Sequence, residues 1–82
     1  MKIVVYTNSA CPHCRALKDY FNEHHVVYQE KNISDDLHAR MELISKKILA
    51  VPVICVDDEE WIIGYNPAKL EHILNHFRNL EQ

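Results

Sequence analysis

A β-branched run, Ile3-Val4-Val5-Tyr6, gives way within a few residues to an apolar stripe of helical period, so the chain opens with a strand feeding straight into a helix. Thr7-Asn8-Ser9 end the strand with side chains that favour turns and helix starts. From Pro12 onward Leu17, Tyr20, Phe21 and His24 recur at three- and four-residue spacings, with Arg15, Lys18, Asp19 and Asn22 on the opposite face. Val26 to Gln29 is apolar and β-branched enough for a second strand. The opening therefore reads as strand, helix, strand, a unit whose crossover is right-handed.

Ser34 is the expected N-cap of a second helix, opened by Asp35 and Asp36 and closed by Lys46-Lys47, as the helix dipole favours. Leu37, Met41, Ile44 and Ile48 mark its expected buried face, and Pro52 forces the chain out of helix at Val51. Val53-Ile54-Cys55-Val56 is the next strand, Asp57 to Glu60 a solvated acidic turn, and Trp61-Ile62-Ile63 a returning antiparallel strand. Pro67 suits the first turn of a last helix, in which Leu70, Ile73, Leu74 and Phe77 face inward and Glu71, His72, Asn75 and Arg78 face water. The expected fold class is α/β: a four-stranded mixed sheet with three helices packed on both faces, in a single domain over residues 1–82.

Apolar residues at 48% and charged residues at 26% predict a folded core, small for a chain of 82 residues. The net charge of −3 comes without any block of lysine and arginine, so nucleic acid is not an expected partner. No stretch approaches the roughly 20 apolar residues that span a bilayer, and the opening is too short for a signal peptide. A cytoplasmic protein without a membrane partner is expected. Three cysteines with only one close pair do not make the disulfide framework of a secreted miniprotein.

That pair, Cys11-Pro12-His13-Cys14, falls where the first strand hands over to the helix. There the Cys11 sulfur lies near backbone N–H groups without helical partners and near the positive end of the dipole, the setting of a nucleophile. Pro12 fits the first helical position, where its missing donor would have had no partner. Cys14, one turn on, can reach Cys11 and close a disulfide. An imidazolium at His13 would favour the reduced pair further and make it a stronger oxidant. Cys-x-x-Cys is also a metal-ligand spacing, but a tetrahedral site wants four ligands and no second such pair exists. His72 and His76 fall on the polar face of the last helix and read as solvated, so no metal is expected. Cys55 reads as a small core hydrophobe, Trp61 as a packing residue, and His24-His25 as cations complementing a helix end.

The order of Tyr6-Thr7, Cys11-Pro12-His13-Cys14, Val51-Pro52 and Gly64-Tyr65 resembles the glutaredoxin family of the thioredoxin-like superfamily across nearly the whole chain. The resemblance implies a thioredoxin-like fold and a thiol–disulfide oxidoreductase in which Cys11 attacks a disulfide and Cys14 resolves the mixed disulfide. It implies a cis Pro52 beside the pair, leaving the Val51 backbone to hold an incoming peptide or glutathione as an added strand. Pro12, His13, Gly64 and Tyr65 complete the expected substrate-binding set. Tyr65 stands next to the glycine that lets another backbone approach. No tightly bound cofactor is implied, with glutathione as a candidate co-substrate. The expected partners are disulfide-containing proteins, with glutathione or thioredoxin reductase as electron donor, and the expected state is a monomer.

The departures from that family are as informative. Many glutaredoxins carry a lysine three residues before the first cysteine to bind a glutathione carboxylate, where this chain has Asn8. The family's Gly-Gly and acidic pair, which hold the glutathione amino group, correspond here to Ile63-Gly64-Tyr65-Asn66-Pro67, without either acid. A charged hydrogen bond is worth roughly 1.5–3 kcal/mol, so these losses predict weaker glutathione binding. The ending looks more like NrdH-redoxins, glutaredoxin-shaped proteins usually reduced by thioredoxin reductase. An alternative is a carrier that holds an iron–sulfur cluster or other thiophilic metal through Cys11 in a dimer, as some glutaredoxins do. Pro12 counts against it, because cluster-binding members more often have a smaller residue there. The four-residue string is also similar to that of the DsbA family of strong oxidants, over those four positions alone.

Overall fold

Strand β1 (Ile3–Thr7) runs through the middle of the sheet and organises everything else. In a computed structural model, which describes the backbone of residues 2–81 and the side chains of residues 2–75, the elements that follow are α1 (Pro12–Glu23), β2 (Gln29–Asn32), α2 (Leu37–Ser45), β3 (Val53–Val56), β4 (Glu60–Ile63) and α3 (Pro67–Glu81). The strand order is β2-β1-β3-β4. β1 pairs parallel with β2, Val4 opposite Gln29, and antiparallel with β3, Val5 opposite Ile54; β3 and β4 form an antiparallel hairpin. This is the four-stranded mixed sheet with three helices that the sequence predicts.

Alternation along β1 divides the core in two. Ile3 and Val5 join Leu17 and Phe21 of α1 and Leu70, Ile73 and Leu74 of α3 on one face. Val4 and Tyr6 join Ala39 and Leu43 of α2 on the other, so a strand buried on both sides reads as an unbroken apolar run. Phe77 and Arg78, assigned to the faces of α3, lie outside the described side chains, as does His76.

Four local expectations need correction. β2 starts at Gln29 and not at Val26: Val26 is buried under the end of α1, and the polar run Gln29-Glu30-Lys31-Asn32 forms the strand because β1 offers it a parallel partner at an exposed edge. The N-cap of α2 is Asp36, whose carboxylate accepts the Ala39 N–H at 3.1 Å, and not Ser34. Ser34 instead accepts the Ser9 N–H at 3.3 Å through its hydroxyl, tying this turn to the loop before Cys11.

The third correction concerns the face of α2. Leu37, Met41 and Ile44 are 68%, 60% and 52% exposed, while Ala39 and Leu43 face the sheet and only Ile48, of the expected set, packs partly against that core. The cause lies beneath the helix. The Tyr6 and Trp61 rings sit 5.6 Å apart on this face of the sheet, and a small residue such as Ala39 is what the remaining space admits. Glu60, expected in the turn, is the first residue of β4 and pairs with Val56. Among the described residues no helix is long and apolar enough to cross a membrane.

Candidate active site

The end of β1 delivers the chain to α1 through a loop closed by its own side chain: Asn8 Oδ1 accepts the Ala10 N–H at 2.7 Å, and the Asn8 carbonyl accepts the Cys11 N–H at 3.3 Å. Cys11 is the N-cap of α1, with extended backbone (φ −100°, ψ 108°), and Pro12 takes the first turn. Where a serine or aspartate oxygen usually caps a helix, the Cys11 sulfur does so here, accepting the Cys14 N–H at 3.1 Å. The same sulfur lies 3.8 Å from the Val51 carbonyl, to which its S–H donates. The Val51-Pro52 peptide is cis.

From Pro52 the site continues to the hairpin's far end. The Pro52 carbonyl accepts the Gly64 N–H at 2.7 Å. Gly64 has φ +87°, a left-handed value that favours glycine; a Cβ there would meet nothing within 4 Å, so the requirement is conformational and not steric. The next residue, Tyr65, lays its ring along that of His13, with centroids 6.5 Å apart and planes 26° from parallel. The structure thus gathers Cys11, Pro12, His13, Cys14, Val51, Pro52, Gly64 and Tyr65 around one end of the sheet. Pro12 and His13 are exposed, and Cys11, Val51, Gly64 and Tyr65 half-buried.

The two thiols differ in environment. Cys14 is buried under α1, and burial, reinforced by its hydrogen bond with Cys11, pushes its thiol up to about 12. Asn8's backbone and the Lys18 charge pull in the opposite direction. Cys55 is buried in β3 beneath α2, where burial likewise raises its thiol, as suits a small core residue. Trp61 packs on Tyr6, with Lys46 Nζ 4.8 Å from its ring centroid. Among the described residues no group of three or more His, Cys, Asp or Glu is placed to hold a metal ion.

Two openings flank the pair. A cleft of about 810 Å³ runs between α1 and β2, lined among others by Cys11, Cys14, Lys18 and Glu30. A groove of about 230 Å³ lies on the other side, between α2 and Val51, lined by Ile33, Leu43, Ile44, Ile48 and Leu49 with Asn8 and Arg40. In the first, Lys18 Nζ and the Thr7 hydroxyl both bind Glu30 Oε2, at 3.1 and 2.7 Å, and the Thr7 bond holds the carboxyl below its ordinary value. Sequence reading missed this cluster because it ended the second strand at Gln29 and left Glu30 unplaced. The four-residue spacing of Cys14 and Lys18 on one helix was the available signal.

Comparison with known proteins agrees with this geometry. Residues 3–61 match the family described as Glutaredoxin. An uncharacterized glutaredoxin-like 8.6 kDa protein in the rubredoxin operon of Clostridium pasteurianum is 32% identical over 73 residues, covering 88% of this chain and 96% of that protein. The glutaredoxin-like protein NrdH of Lactococcus lactis is 29% identical over 68 residues, covering 83% of this chain and 93% of its own. The NrdH-redoxin structure from Escherichia coli superposes with a TM-score of 0.81 at 21% identity, over 88% of this chain and 93% of that one, a likeness of fold. With the matched region running from β1 into β4 and containing both the cysteine pair and Val51-Pro52 on a thioredoxin-like fold, this chain belongs to the glutaredoxin family of redox proteins.

Proposed function

We propose that the protein is a dithiol reductase of disulfide-containing proteins, with Cys11 as nucleophile and Cys14 as resolving thiol. The Cys11 sulfur displaces one sulfur of the substrate disulfide, which leaves as a thiolate, and a mixed disulfide forms. Cys14 then loses its proton and attacks Cys11. The second substrate sulfur leaves, so the substrate gains two electrons and two protons and the pair becomes a disulfide. An external reductant restores the dithiol. The observation that carries this reading is the half-buried Cys11 sulfur itself, held at 3.1 Å by the Cys14 N–H beside the Val51 carbonyl. Val51 offers an incoming extended segment a main-chain partner, and His13 and Tyr65 wall the other side.

Thioredoxin reductase is the favoured electron donor in this reading. Asn8 stands where many relatives have a lysine for glutathione, and its side-chain oxygen is engaged by the Ala10 N–H. Asn66, in the segment that replaces the acidic pair, spends its side-chain oxygen on the Ala68 and Lys69 N–H groups at 3.1 and 3.3 Å, capping α3. Both side chains are uncharged, and both side-chain oxygens are already engaged. The similarity to NrdH of L. lactis and to the E. coli NrdH-redoxin, whose structure is described by a thioredoxin-like activity profile, supports the same donor.

The test is NADPH-coupled reduction of a protein disulfide, supplied in parallel by thioredoxin reductase and by glutathione with glutathione reductase. Turnover is expected with the first supply and not the second; equal turnover with both would overturn the donor assignment. Cys11→Ser is expected to abolish turnover with either, and activity retained in that variant overturns the mechanism. Cys14→Ser is expected to stop at a mixed disulfide visible by mass spectrometry.

A further inference from the structure

Resolution requires a buried thiol to ionise, and the fold places a half-buried cation, Lys18, in the cleft that this thiol lines. Lys18 follows Cys14 by four residues on α1, one turn along the same face, and both line the cleft of about 810 Å³ between α1 and β2. The other charged side chains lining that cleft are Arg15 and Asp19 from α1 and Glu30 from β2; Arg15 and Asp19 are exposed. Lys18 is instead half-buried, and it is fixed: Glu30 Oε2 holds Nζ at 3.1 Å and is itself fixed by the Thr7 hydroxyl at 2.7 Å, at the end of the strand that delivers the cysteines. One ion pair, whose carboxylate is itself fixed by Thr7, thus holds the lysine in the cleft that Cys14 lines, where an unanchored one would extend into water.

Resting on the dithiol reading above, we infer that Lys18, anchored by Glu30 and Thr7, is a positioning residue for the resolving step, its ammonium favouring the Cys14 thiolate as the proton departs through the cleft. The first step has its own source of stabilisation, because the Cys11 sulfur accepts the Cys14 N–H at the start of α1 and stands beside Val51. In the second step the Cys14 S–H bond breaks, its proton passes to water in the cleft, the Cys14–Cys11 bond forms and the substrate sulfur leaves with the electron pair of the broken mixed disulfide. Lys18 neither gains nor loses a proton. Its charge is one of the influences that lower the Cys14 thiol against the larger effect of burial.

The reduced protein is mixed with dithiodipyridine, a neutral disulfide that releases one chromophoric pyridinethione when Cys11 attacks and a second when Cys14 resolves. Wild-type protein is expected to show two phases, and Lys18→Met to slow the second by about fivefold or more, the size of one partly solvated charge interaction. The mixed disulfide should accumulate in that variant by mass spectrometry. Lys18→Arg, which keeps the charge, should restore most of the rate, and Lys31→Met, which removes a cation paired with Glu42 instead, should change neither phase. A second phase of wild-type speed in Lys18→Met overturns the inference, as does equal slowing of both phases, which marks a structural effect. Lys18→Gln, with a hydrogen-bonding side chain for Glu30, provides the same reading if Lys18→Met folds poorly. If wild-type protein shows no first phase, the dithiol reading itself fails, an outcome separate from these.

Discussion

At the residue scale, Cys14 couples the chemistry of the site to the stability of the fold. Its folded-state thiol stands at about 12 against an ordinary 9.0, chiefly because burial disfavours the thiolate. The unfolded chain therefore ionises first as pH rises. The stability linked to this thiol is fully present below about pH 9 and is lost progressively as pH climbs through 12. Cys55 and Tyr6 are raised in the same direction, also by burial first, so the reduced protein as a whole should weaken on the alkaline side. Urea midpoints measured across that range should fall steeply for the wild type and less steeply for Cys14→Ala; identical slopes would refute the assignment. Glu30 acts at the opposite end. Lowered first by the Thr7 hydrogen bond, it contributes stability near neutral pH that disappears as pH falls through its folded value.

At the element scale, both α1 and α2 end in the same way without a glycine. The Val26 N–H returns to the Phe21 carbonyl at 2.9 Å and the His25 N–H to Asn22 at 3.2 Å. Ile48 and Lys47 repeat the pattern on Leu43 and Ile44, both at 2.9 Å. His25 and Lys47 therefore sit at φ 57° and 60°, left-handed positions that disfavour side chains. His25→Gly and Lys47→Gly should each stabilise the protein by about 0.5–1 kcal/mol, read as a higher urea midpoint at unchanged slope, and a loss in either would contradict the cap geometry. Because the usual glycine signal is missing, the ends of these helices were legible from the basic residues His24-His25 and Lys46-Lys47 and, after α2, from Pro52. Central elements were easier: β1 and β3 are buried on both faces, and α1 carries a regular stripe, so their residues declare them. β2 was misplaced because Gln29 to Asn32 has no strand signal of its own and takes its position from pairing with β1. The α2 face was misread because Tyr6 and Trp61 occupy the space beneath it, a fact of long-range packing. The site divides likewise. Cysteines at a strand–helix junction, a proline and a glycine are local signals, whereas the Lys18–Glu30–Thr7 cluster exists only once β2 has found its register.

At the scale of the whole molecule, the two sides of the sheet are unequal. Among the described residues, eleven buried ones hold α1 and α3 to one face, against six on the face covered by α2. Leu43→Ala should cost about 2–5 kcal/mol and Met41→Gln, at 60% exposure, less than about 0.5 kcal/mol by chemical denaturation, the reverse of what the apolar spacing of the helix suggests. A thinner layer also opens more readily than the molecule unfolds. Amide hydrogen exchange should therefore find α2 less protected than the middle of α1, and equal protection would show that the sheet binds both sides as one cooperative unit. What ties the reacting end to the better-packed side is the bond from Gly64 to Pro52, at 2.7 Å, just after the peptide that faces Cys11. That bond gives Pro52 one anchored leaf: an opening of α2 would leave the peptide beside Cys11 in register with the sulfur.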